Sequence, residues 1–114
     1  MLEKRKFIRL KAPLGVVFRV IRKNKRQRTH ASFIKDISGE GVCLSCREPL
    51  RHGDLLDMEI QIPHLKDPVR AVGEVVWSGL RPERDLHEAG VRFRDVEPKT
   101  LSRILEYVYA IAIG

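Results

Sequence analysis

The side chains best suited to binding chemistry are two arginines and a short acidic, hydroxyl-bearing segment. Arg5 and Arg9 form the pattern R-x-x-x-R near the N-terminus. Residues 36–41 read DISGEG and contain D-x-S-x-x-G, which this composition produces about 0.02 times by chance, against about 1.7 times for R-x-x-x-R. The planar guanidinium of arginine binds phosphate through two hydrogen bonds. Asp and Ser in such a segment also stabilise their own turn, and both interpretations can hold.

The basic residues are concentrated towards the N-terminus. The 114 residues include 22 Lys and Arg and 15 Asp and Glu, a net charge of +7. Residues 1–30 contain 11 of these bases and one acid, whereas residues 31–114 contain 11 bases and 14 acids. One basic segment, residues 4–11, alternates with apolar residues; the other, residues 22–28, has none and is predicted to be a hairpin tip. This asymmetry indicates an anionic partner, the alternative being a solvated arm that aids solubility.

Motifs for catalysis or metal binding are absent from the sequence. It contains no G-x-x-x-x-G-K-[ST], H-E-x-x-H or G-x-S-x-G. The four histidines lack a second ligand at metal-binding spacing: His30, His52, His64 and His87. Cys43 and Cys46 form C-x-x-C, but an odd offset places them on opposite faces of a strand, so we interpret them as small core residues. We therefore expect a binding protein rather than an enzyme, with no metal and no cofactor.

The elements that must position these residues are mostly strands. Alternating apolar residues predict six of them, over residues 14–20, 33–37, 42–46, 55–62, 69–77 and 89–93. The fifth is predicted to carry Val75 and Trp77 on one face. An i, i+3, i+4 period then predicts an amphipathic helix over residues 98–112, with Pro98 at its first position. Short strands at this spacing favour a closed antiparallel barrel or a sandwich, and a terminal helix can close one open end.

The sequence also bears on where the protein is found and how it associates. The longest apolar segment, residues 107–113, is far shorter than the ~18–20 residues of a membrane span, and no signal peptide is visible. We therefore expect a cytoplasmic protein. Residues 107–113 are more apolar than one helical face can bury; we expect them to cover the barrel mouth, the alternative being contact with a partner or a second copy. A monomer or a weak dimer is predicted.

At these residues the chain resembles the PilZ family of cyclic di-GMP receptors. Three features follow one another in the family's order: R-x-x-x-R, a strand hairpin over residues 16–37 and D-x-S-x-x-G. The resemblance continues through residues 73–77 and 89–93 into the terminal helix and so covers almost the whole chain. It implies an all-β fold, a six-stranded antiparallel barrel with a C-terminal helix over residues 13–114, preceded by a flexible basic arm over residues 1–12. It also implies that the ligand is bound and not converted.

The resemblance further implies which residues bind cyclic di-GMP. Arg5 and Arg9 would clamp the ligand from the arm, since guanidinium pairs with phosphate or with guanine O6 and N7. Asp36 would accept hydrogen bonds from guanine, and Ser38 would bind the base or the phosphate region. Gly39 and Gly41 would allow a close backbone approach. The full predicted set is Lys4, Arg5, Arg9, Asp36, Ser38, Gly39, Gly41 and Trp77. Lys4 occupies a position that influences whether one or two ligand molecules bind, and Trp77 is either a wall of the site or a core residue.

These expectations combine into one functional hypothesis with two alternatives. The dianionic ligand would neutralise the arm, tie it to the barrel and so change the surface that an effector protein recognises in trans. The first alternative is a small RNA- or DNA-binding barrel, which the basic residues 22–28 favour and the aromatic content of 6% disfavours. The second is a PilZ-like scaffold that has lost ligand binding.

Overall fold

The computed structural model describes residues 8–22 and 28–113. Six strands form a closed antiparallel barrel in the order β1-β2-β3-β6-β5-β4. The elements are β1 Leu10–Ile21, β2 Thr29–Ile37, β3 Gly41–Cys46, β4 Leu55–Ile60, β5 Val69–Arg81, β6 Leu86–Asp95 and α1 Pro98–Ile113, with a short 3-10 turn Pro82–Arg84 between β5 and β6. The predicted six-stranded barrel with a C-terminal helix is confirmed.

Apolar side chains from every strand fill the barrel, because residues two apart on a strand point to the same face. The largest fully buried strand residues are Phe18, Ile34, Ile37, Leu44, Leu56, Met58, Ile60 and Val75. The helix α1 contacts β1 and β5 and adds Ile104 and Val108 to the same core. These two residues are four apart and so lie on one helical face. Ile111, on the next turn, is 56% exposed, so the end of α1 is not covered by the barrel.

The barrel begins earlier in the chain than the predicted arm boundary implies. β1 starts at Leu10, which pairs with Ile37 on β2, and Lys11 pairs with Asp36. Leu10 is buried in the core cluster, and this burial explains why the strand extends that far. Of the two predicted basic segments, residues 4–7 and 23–27 lie outside the described residues.

A charged cluster joins three neighbouring strands on one side of the barrel. Asp57 on β4 accepts hydrogen bonds from Arg70 on β5 and Arg19 on β1, at nitrogen–oxygen distances of 2.6 and 2.8 Å. The Arg70 hydrogen bond, assisted by Arg19, outweighs the opposing effect of burial and lowers the pKa of Asp57 to about 2. The carboxylate therefore stays charged at neutral pH and forms ion pairs that link β1, β4 and β5 on their outer face.

Two register shifts change which side chains face outward. In the β2–β3 pair, Ile34 and Asp36 oppose adjacent residues of β3, and in the β5–β6 pair, Val75 and Trp77 oppose adjacent residues of β6. One extra residue in a strand reverses the alternation of faces. Asp36 and Trp77 therefore point outward. The prediction that Trp77 shares a face with Val75 is wrong, because Val75 is in the core and Trp77 is 47% exposed.

The close approach of β3 and β6 requires glycine at position 41. Gly41 pairs with Arg92, and a Cβ at this position would lie 1.9 Å from the carbonyl oxygen of Val91. That oxygen belongs to the backbone of a paired strand and cannot move without disturbing the barrel. Gly79 on β5 makes a useful contrast, since a Cβ there would meet nothing within 4 Å.

We predict that Gly41→Ala destabilises the barrel, because the added methyl group forces β3 and β6 apart. The free energy of unfolding, measured by chemical denaturation, should fall by about 1–3 kcal/mol. Gly79→Ala, the matched control, should change it by less than about 0.5 kcal/mol. Equal stabilities of the two variants would contradict the close approach at Gly41.

Candidate functional site

A cleft of about 240 Å³ lies on the outer face of the barrel, where β2, β3, β6 and β5 run side by side. Four of its residues form one row across these strands, since Asp36 pairs with Cys43, Cys43 with Gly90 and Gly90 with Trp77. Directly paired residues project to the same face about 5 Å apart. The row thus has a carboxylate at one end, an indole at the other and two small residues between them.

The small residues make the middle of the row the floor of the cleft. A Cβ on Gly90 would lie 2.0 Å from Nε1 of Trp77, so the indole rests directly against the backbone of β6. Cys43 is buried, beside Gly90. The register shift in β5 and the missing side chain at Gly90 together give the indole its position.

The D-x-S-x-x-G segment is a rigid turn at the edge of the cleft. The Ser38 amide donates to the carbonyl of Gly41 at 2.9 Å, and the Glu40 amide donates to Oγ of Ser38 at 3.1 Å. The amide of Phe93 on β6 donates to the carbonyl of Glu40 at 2.8 Å, which ties the turn to the neighbouring strand. The turn therefore stabilises its own backbone and also lines the cleft with Ser38, Glu40 and Gly41.

Arg9 reaches the cleft from the residue just before β1. Its Nε lies 3.5 Å from Oδ1 of Asp36, with Arg9 45% exposed and Asp36 13% exposed. Solvent screens an ion pair in which one partner is this exposed, so the contact contributes little to stability. Nearly half of the Arg9 side chain remains exposed, so a molecule in the cleft can contact it.

The thiol of Cys43 faces the cleft, and its pKa is raised. Burial, with smaller contributions from Asp36 and Glu88, raises its pKa to about 11, so the group is a neutral S–H at physiological pH. This position corrects the prediction that both cysteines are core residues. Cys46 does belong to the core, where its thiol contacts the carbonyl of Glu48.

The structure gathers most of the predicted site residues at this cleft. Its lining includes five of them, Arg9, Asp36, Ser38, Gly41 and Trp77. Gly39 is buried within the turn and does not line the cleft, and Lys4 and Arg5 lie outside the described residues.

Other lining residues were not selected from the sequence, among them Glu40, Val76 and Arg92. For Arg92 the available signal was its outward position between the buried Val91 and the half-buried Phe93. An outward position alone does not assign Arg92 to the cleft; the pairing of β6 with β3 does.

The described residues contain neither a metal-binding cluster nor a helix that could cross a membrane. Within residues 8–22 and 28–113, no three His, Cys, Asp or Glu side chains are grouped so that they could hold a metal ion. Over the same ranges, no helix has both the length and the apolar character needed to cross a membrane.

Comparison with solved structures identifies several proteins with this fold. MotI/DgrA, the Bacillus subtilis inhibitor of motility, superimposes with a TM-score of 0.80 at 14% identity, over 98% of this chain and 53% of its own. MrkH of K. pneumoniae, solved as a complex with c-di-GMP, gives 0.76 at 16% identity, over 98% of this chain and 54% of its own. The PilZ domain of YcgR from Escherichia coli, with c-di-GMP, gives 0.71 at 13% identity, over 96% of this chain and 92% of its own.

These comparisons differ in what they cover. The chain spans about half the length of MotI/DgrA and MrkH but nearly all of the YcgR domain. No curated protein matches the sequence. The model of the PilZ domain family matches residues 3–110, nearly the full length of the chain. The protein therefore belongs to the PilZ domain family.

Proposed function

We propose that this protein is a receptor that binds cyclic di-GMP in the cleft and does not convert it. The observation that carries the proposal is the row from Asp36 through Cys43 and Gly90 to Trp77, with Arg9 beside Asp36. This row combines a hydrogen-bond acceptor, a cation and an aromatic surface around a small-residue floor. The structural similarity to MrkH and to the YcgR domain, each solved with c-di-GMP, supports this ligand.

The chemistry of the row suits guanine. The carboxylate of Asp36 only accepts hydrogen bonds, and guanine presents N1–H and N2–H₂ donors on one edge, whereas adenine has no N–H at N1. Three strand spacings separate Asp36 from Trp77, about 14 Å between their backbones, and the indole covers the part above Gly90. A base whose edge binds Asp36 therefore has its plane within reach of the indole for stacking.

Arg9 supplies the contact to the anionic part of the ligand. Because its pair with Asp36 is long and solvent-screened, a phosphate can take over the guanidinium at little cost. Asp36 is then free to accept from guanine. After this exchange Arg9 contacts the ligand, and Arg5 and Lys4 in the preceding segment contact it too.

This exchange is also the basis of the proposed signal. A ligand of charge −2 reduces the repulsion among the bases before β1 and ties that segment to the cleft. The resulting surface engages or releases an effector protein in trans. Since β1 starts directly after Arg9, the tether pulls on the first residues of the barrel.

We predict that Arg9→Ala and Arg5→Ala each weaken cyclic di-GMP binding, measured by titration calorimetry, by roughly 5- to 150-fold, the loss expected for a bidentate contact.

Asp36→Ala should lower the preference for cyclic di-GMP over cyclic di-AMP, because the carboxylate accepts hydrogen bonds from the guanine donors. Arg103→Ala, an exposed arginine on α1, is the charge-matched control and should bind as the wild type does.

The wild-type protein's failure to bind cyclic di-GMP at high micromolar concentration would refute the receptor function. An unchanged dissociation constant in Arg9→Ala would refute the role of that residue. Steeply salt-dependent RNA or DNA binding that is relieved by neutralising the bases of residues 22–28, and is indifferent to Asp36, would support the nucleic-acid alternative instead.

We predict that Gly90→Ala displaces the indole, because its Cβ would lie only 2.0 Å from Nε1 of Trp77. Trp77 is the only tryptophan in the chain, so its fluorescence emission reports the change directly. The variant should show a shifted emission maximum and weaker ligand binding, while Gly79→Ala, on the strand that carries Trp77, should match the wild type. Normal affinity with a shifted emission maximum would show that stacking on Trp77 does not contribute.

We predict that the ligand slows amide hydrogen exchange at the start of β1 and in the turn of residues 38–41. The ligand ties the segment before β1 to the cleft, and the turn lines that cleft. Exchange in α1, whose buried face packs into the barrel core, should stay unchanged and serves as the internal control. Saturation with ligand and no protection at residues 8–12 would contradict the tether.

A further inference from the structure

The cleft contains an arginine that belongs to neither sequence motif. Arg92 lies on β6, is exposed and lines the cleft. Its partner across the β3–β6 ladder is Gly41, so no side chain of β3 stands opposite the guanidinium. The glycine that permits the close approach of the two strands therefore also leaves Arg92 open to the cleft.

The surrounding carboxylates do not hold Arg92. Its partner on the other side, Glu74 on β5, is bound by Arg94 at nitrogen–oxygen distances of 2.7 and 2.8 Å. Asp36 pairs with Arg9, and Glu88 lies between Lys35 and Arg81 at 3.2 and 3.3 Å. Within residues 8–22 and 28–113, Arg92 forms no ion pair. An anion can bind this guanidinium without first displacing an internal partner.

The charge balance of the cleft depends on Arg92. The charged side chains that line it are Arg9, Arg92, Asp36 and Glu40, which sum to zero. Without Arg92 the described lining carries one base against two acids, a net charge of −1 that repels a dianion. Arg9 and Arg92 also approach from different sides, since β2 and β3 lie between β1 and β6 in the barrel.

Resting on the function proposed above, we propose that Arg92 binds a phosphate of the cyclic dinucleotide across the cleft from Arg9. Three strand spacings, about 14 Å, separate the strands on either side, a distance that two long arginine side chains can bridge through a ligand with two phosphates. Arg92 thus favours a ligand with two separated anionic groups. Because a phosphate contact does not read the base, the residue contributes affinity and not the choice between guanine and adenine.

The test is titration calorimetry of cyclic di-GMP and cyclic di-AMP with the full chain and three variants. Arg92→Ala should weaken both ligands by a similar factor, roughly 5- to 150-fold. Arg92→Lys, which keeps the charge but not the planar fork, should recover part of the loss. Arg103→Ala is the charge-matched control, an exposed arginine on α1 that does not line the cleft, and it should bind within about twofold of the wild type.

Each other outcome overturns a stated part of the proposal. Wild-type affinity in Arg92→Ala removes the contact while leaving the receptor function intact, whereas no binding by the wild type removes both. An equal loss in Arg103→Ala would mean that only the overall charge matters. A loss confined to cyclic di-GMP would assign Arg92 to the guanine edge and refute the phosphate contact. Thermal unfolding of Arg92→Ala should match that of the wild type, since this exposed side chain has no partner among the described residues.

Discussion

Two one-residue register shifts, in β2 and in β5, determine which side chains meet in the cleft. Strict alternation from Ile34 and Val75, both fully buried, would direct Asp36 and Trp77 into the core. A carboxylate in an apolar barrel is costly, and an indole has no space there. The shifts place both groups on the outer face, at the same level of the sheet. The neighbouring strands then supply only Cys43 and Gly90 between them. The cleft is therefore a consequence of irregular strand pairing at these two places in the barrel.

The electrostatics of this face suit reversible binding. The shorter ion pairs lie elsewhere, with Asp57 between Arg19 and Arg70, and Arg94 on Glu74. At the cleft the pair of Arg9 and Asp36 is long and exposed. A long, solvent-screened pair can exchange its partner for a ligand at little cost in free energy. The guanidinium of Arg9 at the cleft therefore remains able to bind an anion.

The barrel tolerates wide sequence change. Its structural neighbours share the fold at 13–16% identity. A core of alternating aliphatic residues can be refilled in many ways provided volume and pattern are kept. The close contacts described here are stricter, because Gly41 and Gly90 each leave no room for a Cβ. The requirements of the site thus fall on a few positions, and most of the chain meets only the general demands of a barrel.

The sequence alone determined the barrel, its terminal helix and the family, because the apolar period and the two motifs are local patterns that survive without knowledge of strand pairing. The turn of Ser38–Gly41 was equally readable, since its hydrogen bonds join near neighbours. The sequence did not predict that Trp77 points outward, that Cys43 lines the cleft or that Arg92 belongs to it. Each depends on which residue of a distant strand lies opposite, and on register shifts that no period predicts. Only the tertiary structure brings β3 beside β6, and with it the surface on which a ligand can bind.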